Sequence, residues 1–336
     1  EDWVQRLLGL ALPDEARLVD PRCLYDYLDA PHAQAGLLPV RLVRASWLLR
    51  RAEEARSAAG DAEARSRLAL PARQELPEEA FVPAPVHRRT AVVSISYCWF
   101  TPGHPDPDGS TLLAIADALL QQKAKRDAGS DPRFRYWPDD YGVFLDWCSV
   151  HQRDARGART REEEVAFRDA LGNLDLFYAH AWPTTLMLTS LPAARPYCER
   201  GWPTFEYAAS CLVKSAHGSV WPPAIDAGDP EGRSPLDRAP VDPARFAESM
   251  RQRTFTNGAA ELEVAIQLYE TAIALAFRGV AGLDFSGRGW SQDEVEGFVP
   301  LLQLARRARW LRMNAVPGLR GRGAGALLRA LEAGAL

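Results

Sequence analysis

A chain of 336 residues is long enough for two compact cores, or for one domain with extensions. Hydrophobic residues make up 47% and charged residues 25%, ordinary values for a soluble globular protein. The net charge of −4, from 40 basic and 44 acidic side chains, excludes a global electrostatic bias toward nucleic acid or an anionic membrane. No apolar run approaches the roughly 18 residues that a membrane-spanning helix needs. The chain opens at Glu1 rather than Met, as a fragment of a longer protein does, so a missing export signal carries no weight. Cys23, Cys98, Cys148, Cys198 and Cys211 are odd in number, widely spaced and without a CxxC pair. That pattern argues against a disulfide framework and a zinc site, and for small core residues in a reducing, cytoplasmic compartment.

Residues 1–70 read as a helical extension. Leu37, Val40, Leu42, Val43, Trp47, Leu48 and Leu49 make a helix-period stripe, and a charged stretch from Arg50 to Arg67 follows. Pro71, Pro77, Pro83 and Pro85 mark residues 71–87 as a linker. A β/α alternation then spans residues 88–230. Thr90 to Tyr97 reads as a buried strand, and Ser110 as the cap of a helix reaching Lys125. Gly142 to Cys148 is a second strand, Thr160 to His180 a helix, and Thr184 to Leu191 a third strand. A helix from Glu199 to Ser215 and a short strand from Ser219 to Ile225 complete the series. Strands this apolar, separated by helices, predict a doubly wound parallel sheet covered on both faces. Pro222 to Pro243 reads as a linker and residues 244–278 as helical. In the tail, residues 279–336, Leu283-Asp284-Phe285 and Leu311-Arg312-Met313 lie 28 positions apart, each before a helix-like segment. That period suits a leucine-rich repeat of the long β-α type, and a plain helical tail fits equally.

Three motifs in the α/β region share one order. The first strand ends Ser96-Tyr97-Cys98-Trp99. The second carries Phe144-Leu145-Asp146, with Gln152 six residues after the aspartate. The third is Arg200-Gly201-Trp202-Pro203-Thr204-Phe205-Glu206. Together they resemble the S-Y-x-W, W-I-D…I-N-Q and R-x-W-T-x-Q-E motifs of fungal HET (heterokaryon-incompatibility) domains, and the last is similar to the W-C-x-x-E motif of TIR domains. The resemblance covers about 140 residues and neither flank. Cys148 lies two residues after Asp146, where HET domains usually place it three after, and the helix from Thr160 is longer than in typical TIR domains. The resemblance implies a flavodoxin-like sheet and a signalling module that self-associates or meets a protein partner. For the TIR-type enzymes it further implies hydrolysis of NAD by a glutamate near the start of the helix after the second strand.

In open parallel sheets, ligands bind beyond the carboxyl ends of the strands at the switch in strand order. Candidate ligand residues there are His104, Asp106 and Asp108 of the HPDPDG loop, Asp146, and the aromatic Trp99 and Trp147, whose rings could stack on a nucleotide base. The loop equally fits a proline-stiffened turn, and lacks the further oxygens of a calcium site. Within the run Glu162-Glu163-Glu164, helical spacing sets Glu164 on the face of Phe167, Leu171 and Leu174, making Glu164 the first catalytic candidate and Glu163 the second. Thr160 and Glu163 also spell a capping box, and three carboxylates suit a helix N-terminus without any chemistry. Trp202 and Glu206, one turn apart, read as a structural pair holding their helix to the sheet. His151 and His180 lack ligand spacing, and no metal motif, Gly-rich phosphate loop or nucleophile elbow is present.

Two readings follow. In one, the domain is a self-associating or protein-binding signalling module, without nucleic acid or membrane as partner. In the other, it is an NAD hydrolase, with NAD as substrate and no certain cofactor. A third, lower reading is a nucleoside-processing enzyme, which needs Asp106, Asp146 and Glu164 around one sugar.

Overall fold

The computed structural model describes every residue except 1, 13, 15, 59, 102, 130–136, 192–195, 213–222, 229–237, 256–257 and 336. Helices α1 (Asp2–Gly9) and α2 (Pro21–Asp29) open the chain; Asp20 caps α2 by accepting from Arg22 N, with Pro21 at the first helical position. The apolar stripe predicted to start a helix at Leu37 begins in extended chain. Pro39 has no amide to give a helix, and Val40 and Leu42 bury themselves against the sheet. Strand β1 (Val43–Arg44) follows, then α3 (Ala45–Ser57) and α4 (Ala62–Arg67).

The α/β alternation is present in the order expected: β2 (Val92–Ser96), α5 (Ser110–Asp127), β3 (Gly142–Phe144), a helical turn α6 (Asp146–Ser149), α7 (Arg161–Gly172), α8 (Asp175–Tyr178), β4 (Thr184–Met187), α9 (Gly201–Ser210) and β5 (Ala224–Asp226). Strands are shorter than predicted. Beyond Phe144 the chain curls, with Cys148 N and Ser149 N both donating to Leu145 O, so Asp146 heads a turn instead of lying in a strand. The predicted helix from Thr160 to His180 breaks at Asn173, whose Nδ2 returns to Asp169 O at 2.7 Å. Helix α5 starts from Gly109, in the left-handed region at φ 78°, with Ser110 inside the helix; a Cβ on Gly109 would meet Arg65 O at 3.2 Å. The predicted extension of α9 to Ser215 and the predicted strand start at Ser219 lie outside the described residues.

The sheet is mixed, in the order β1-β3-β2-β4-β5. The four strands from β2 to β5 are parallel, but β1 from the N-terminal segment pairs antiparallel with β3, Val43 opposite Val143 and Arg44 opposite Gly142. The all-parallel expectation is corrected at this edge. Gly142 permits the pairing, because a Cβ there would come 2.7 Å from Leu42 Cδ1. Both faces are covered. Val93, Ile95, Val143 and Leu145 pack under α3 and α5, while Val92 and Phe144 face α8, α9 and the C-terminal helices. Phe144 stacks on Phe177 with centroids 4.0 Å apart.

The remaining elements are α10 (Pro243–Arg251), α11 (Ala259–Arg278), β6 (Leu283–Asp284), α12 (Gln292–Phe298), β7 (Leu311–Arg312) and α13 (Arg322–Glu332). The two segments 28 positions apart form a parallel pair, Leu283 opposite Leu311 and Asp284 opposite Arg312. A helix follows each. No helix among the described residues is long and apolar enough to cross a membrane.

Candidate functional site

The sheet order turns back on itself beside β2: β3 lies on one side of it and the later strand β4 on the other. Connections leaving in opposite directions open a crevice at the carboxyl end of such a strand. A cleft of about 550 Å³ lies there. Tyr97 and Trp99 enter it from the end of β2, Asp146 and Gln152 from the end of β3, and Trp202 and Glu206 from the start of α9. All three sequence motifs therefore meet in one place.

Local structure explains how each side chain is held. Asp146 heads the α6 turn, and its Oδ1 accepts from Trp147 N at 2.7 Å and Tyr97 Oη at 2.8 Å, while Oδ2 accepts from Trp99 Nε1 at 2.8 Å. Gln152 locks this turn by donating Nε2 to the carbonyls of Asp146 (3.1 Å) and Val150 (3.0 Å). The linker reinforces it: Gln74 Oε1 accepts from Gln152 N and Gln74 Nε2 donates to Gln152 O, at 3.1 and 2.7 Å. Asp146 keeps part of its surface open to the cleft, but protein atoms crowd it enough that burial pushes its carboxyl up, against the three donors that favour the charged form.

Glu206 is buried, 6% exposed, and accepts from Ser96 Oγ at 2.5 Å. Ser96 also bonds Tyr197 Oη, so the network ties α9 to β2. Burial first, and then the charge of Asp146, push Glu206 up to about 8. The cleft thus contains two neighbouring carboxyl groups in unequal surroundings, one neutral near pH 7 and the other supported by three hydrogen-bond donors. Apolar walls come from Phe167, Leu171, Trp202 and Phe255. Gly201 makes the last of these contacts possible, since a Cβ there would fall 2.3 Å from Phe255 Cζ. Arg153, Arg159 and Arg200 add positive charge around the cleft. Arg159 lies over Phe167, Cζ 3.5 Å from the ring centroid.

Of the residues singled out from the sequence, Trp99, Trp147 and Asp146 line this cleft. Trp99 and Trp147 meet edge to face at 5.2 Å, and His104 packs on Trp147 at 4.9 Å. His104 faces a separate groove beside Arg51 and Glu75. Asp106 is fully buried and accepts from Leu70 N, Thr111 N and Leu112 N, bonding the linker to the start of α5. Asp108 is exposed and accepts from Ser110 N and Ser110 Oγ. Glu163 closes the predicted capping box, Thr160 N to Glu163 Oε2 at 2.9 Å and Glu163 N to Thr160 Oγ1 at 3.1 Å, and also meets Gln74 and His151. Glu164 pairs with Arg159 at 3.2 Å and Arg168 at 2.8 Å. Neither glutamate is among the residues lining the cleft.

Tyr97 is not among the site residues expected from the sequence; Glu206, expected there as part of a structural pair, does tie α9 to β2 through Ser96 and lines the cleft as well. Its signal was present, a glutamate four residues after a tryptophan at a helix start following a strand, but chain order alone does not show that this turn reaches the end of β3. Among the described residues, no group of three or more His, Cys, Asp or Glu is placed to hold a metal. Comparison of the chain with protein-family models, with curated proteins and with solved structures finds no match in any of the three.

Proposed function

We propose that residues 88–230 are a TIR/HET-like signalling domain of flavodoxin-like build, whose cleft binds a ribosyl nucleotide and hydrolyses its N-glycosidic bond, with NAD the first candidate substrate. The observation that carries this reading is the carboxyl pair Asp146 and Glu206 at the bottom of an aromatic-walled cleft at the turning point of the sheet. The strand order β3-β2-β4-β5 supports the flavodoxin-like assignment. In such a cleavage the C1′–N bond breaks with its electron pair going to nitrogen, an oxocarbenium-like sugar develops, and water adds to C1′ and gives up a proton. An ionised Asp146 stabilises the developing positive charge. Protonated Glu206 hydrogen-bonds the sugar or the departing base, and the tryptophans hold the flat ring. Glu163 and Glu164, already engaged by the cap and by two arginines, take no part in this scheme.

A second reading, a self-associating module that binds without turnover, draws on one observation: both Asp146 oxygens already accept protein donors. The test is nicotinamide release from NAD, and base release from a nucleoside panel, by the purified chain. Asp146→Asn and Glu206→Gln should each lower turnover about a hundredfold or more, while Glu164→Gln leaves it within about twofold. Turnover unchanged in both cleft variants refutes the catalytic assignment. Absence of turnover, together with concentration-dependent mass by light scattering, supports the module instead.

A further inference from the structure

A line of buried hydroxyl groups ends on Glu206. Ser96 closes β2 and is fully buried, and its Oγ bonds both Tyr197 Oη and Glu206 Oε2, the latter at 2.5 Å. Tyr197 is buried as well, in the 3-10 turn Tyr197–Glu199 that leads into α9. Tyr178 of α8 lies beside the same carboxyl and donates its Oη–H to Ile95 O at 3.1 Å. Ser94, two residues earlier on the same face of β2, offers a contrast. Its hydroxyl is also buried but goes to Phe177 O at 2.8 Å, a backbone acceptor with no proton to hold.

Counting protons gives the line a direction, since each hydroxyl has one to donate. Tyr178 spends its proton on Ile95 O and has only lone pairs left for Glu206. Among the described residues, Tyr197 Oη has no partner other than Ser96. Its proton therefore goes to Ser96 Oγ, and the Ser96 proton goes on to Glu206 Oε2. The reverse order would leave the Tyr197 proton in a buried place without a protein acceptor. With Oε2 accepting, a neutral Glu206 carries its proton on Oε1, the oxygen that Ser96 leaves free. Glu206 lines the cleft, so the placement of this proton decides what the carboxyl can offer a ligand there.

We propose that Ser96 is the positioning residue of the cleft carboxyl: its hydroxyl, aligned by Tyr197, holds Glu206 Oε2 as an acceptor and keeps the proton on Oε1. A role in turnover rests on the N-glycosidic cleavage assigned to the cleft; the placement of the proton does not. Ser96 is not among the residues lining the cleft. Removing its hydroxyl therefore changes the proton affinity of Glu206 rather than the shape of the cleft.

The test follows the Glu206 carboxyl in the full chain by carbon NMR, its resonance identified by its loss in Glu206→Gln. Ser96→Ala takes away a donor that favours the charged form. The titration midpoint should then rise by about one pH unit, about a tenfold gain in proton affinity. Tyr197→Phe should raise it by about half as much, because Ser96 keeps its proton but loses its alignment. Ser94→Ala should leave the midpoint in place, even where it lowers the melting temperature. A midpoint unmoved in Ser96→Ala, or moved equally by Ser94→Ala, would overturn the proposal. If Ser96→Ala does not fold, an unmoved midpoint in Tyr197→Phe overturns it. In a chain that turns over NAD, the alkaline limb of the rate profile should rise with the midpoint, and a fixed limb would deny Ser96 any part in the reaction. Absence of turnover in the parent refutes the hydrolase alone, because the titration is read without substrate.

Discussion

Glu206 is the residue whose surroundings most oppose its ordinary chemistry. Below pH 4.5 it is protonated whether the chain is folded or not, and its burial costs nothing on that account. Between 4.5 and about 8 the unfolded chain releases the proton while the folded protein retains it, so stability falls as pH rises across this window. Above about 8 the whole penalty is present, on the order of 3–5 kcal/mol. Glu206→Gln keeps an amide in the Ser96 network and has no charge to bury. Urea unfolding at about pH 5 and about pH 9 should therefore show a steep loss in the parent and a much flatter one in the variant. Equal slopes would mean that Glu206 is already ionised in the folded protein. Burial pushes Asp146 in the same direction, but three donors converge on it and oppose that push, and the cleft leaves it partly open. The residue types were plain in the sequence, but their inequality was not. It depends on atoms brought from β2, α6 and α9, more than a hundred positions apart between Ser96 and Glu206.

At the scale of elements, short-range signals translated most faithfully. Thr160 and Glu163 needed only their spacing to predict a capping box, and the bonds are present in both directions. Thr160→Ala should destabilise the protein by about 1 kcal/mol. If the cleft assignment holds, it should leave turnover nearly unchanged, because α7 contributes to the cleft through Phe167 and Leu171 rather than through its acidic first turn. A denaturation midpoint unmoved by this change would show that tertiary packing alone holds α7. Element ends were less legible. Phe144-Leu145-Asp146-Trp147-Cys148 is apolar enough for strand throughout, yet Ser149 Oγ accepts from Leu145 N at 3.0 Å and Gln152 grips the turn from behind. The helix predicted to run on to His180 breaks where Asn173 returns to its own helix and Arg17 bonds Asp175 from the N-terminal segment. Such bonds come from side chains whose position no local periodicity reports.

For the molecule as a whole, the N-terminal segment and linker are joined to the α/β unit by polar bonds as well as by packing. β1 closes the edge of β3, and Leu70 N donates to Asp106. Buried Arg73 serves three carbonyls, those of Pro39 at 2.6 Å, Leu38 at 2.6 Å and Ser149 at 3.0 Å, and among the described residues no carboxylate bonds it; burial lowers it to about 9. A fragment limited to residues 88–230 loses all of these and exposes the edge of β3. We expect it to lack a cooperative thermal transition by circular dichroism, whereas the full chain melts in one. A fragment that unfolds cooperatively would make residues 1–87 an accessory to an independent domain.

The sequence by itself determined what depends on neighbours in the chain: the β/α alternation, the capping box, the 28-residue spacing of the tail segments and the three motifs. Hydrophobic period, cap chemistry and turn residues act over a few positions, so each can be read without the fold. Only the tertiary structure decided that the first sheet strand comes from the helical extension, that Asp106 is a buried anchor, and that Asp146 and Glu206 share a cleft. Those facts depend on desolvation and on distances between remote segments. A carboxylate acquires its character from the atoms that surround it, and those atoms are assembled only by folding.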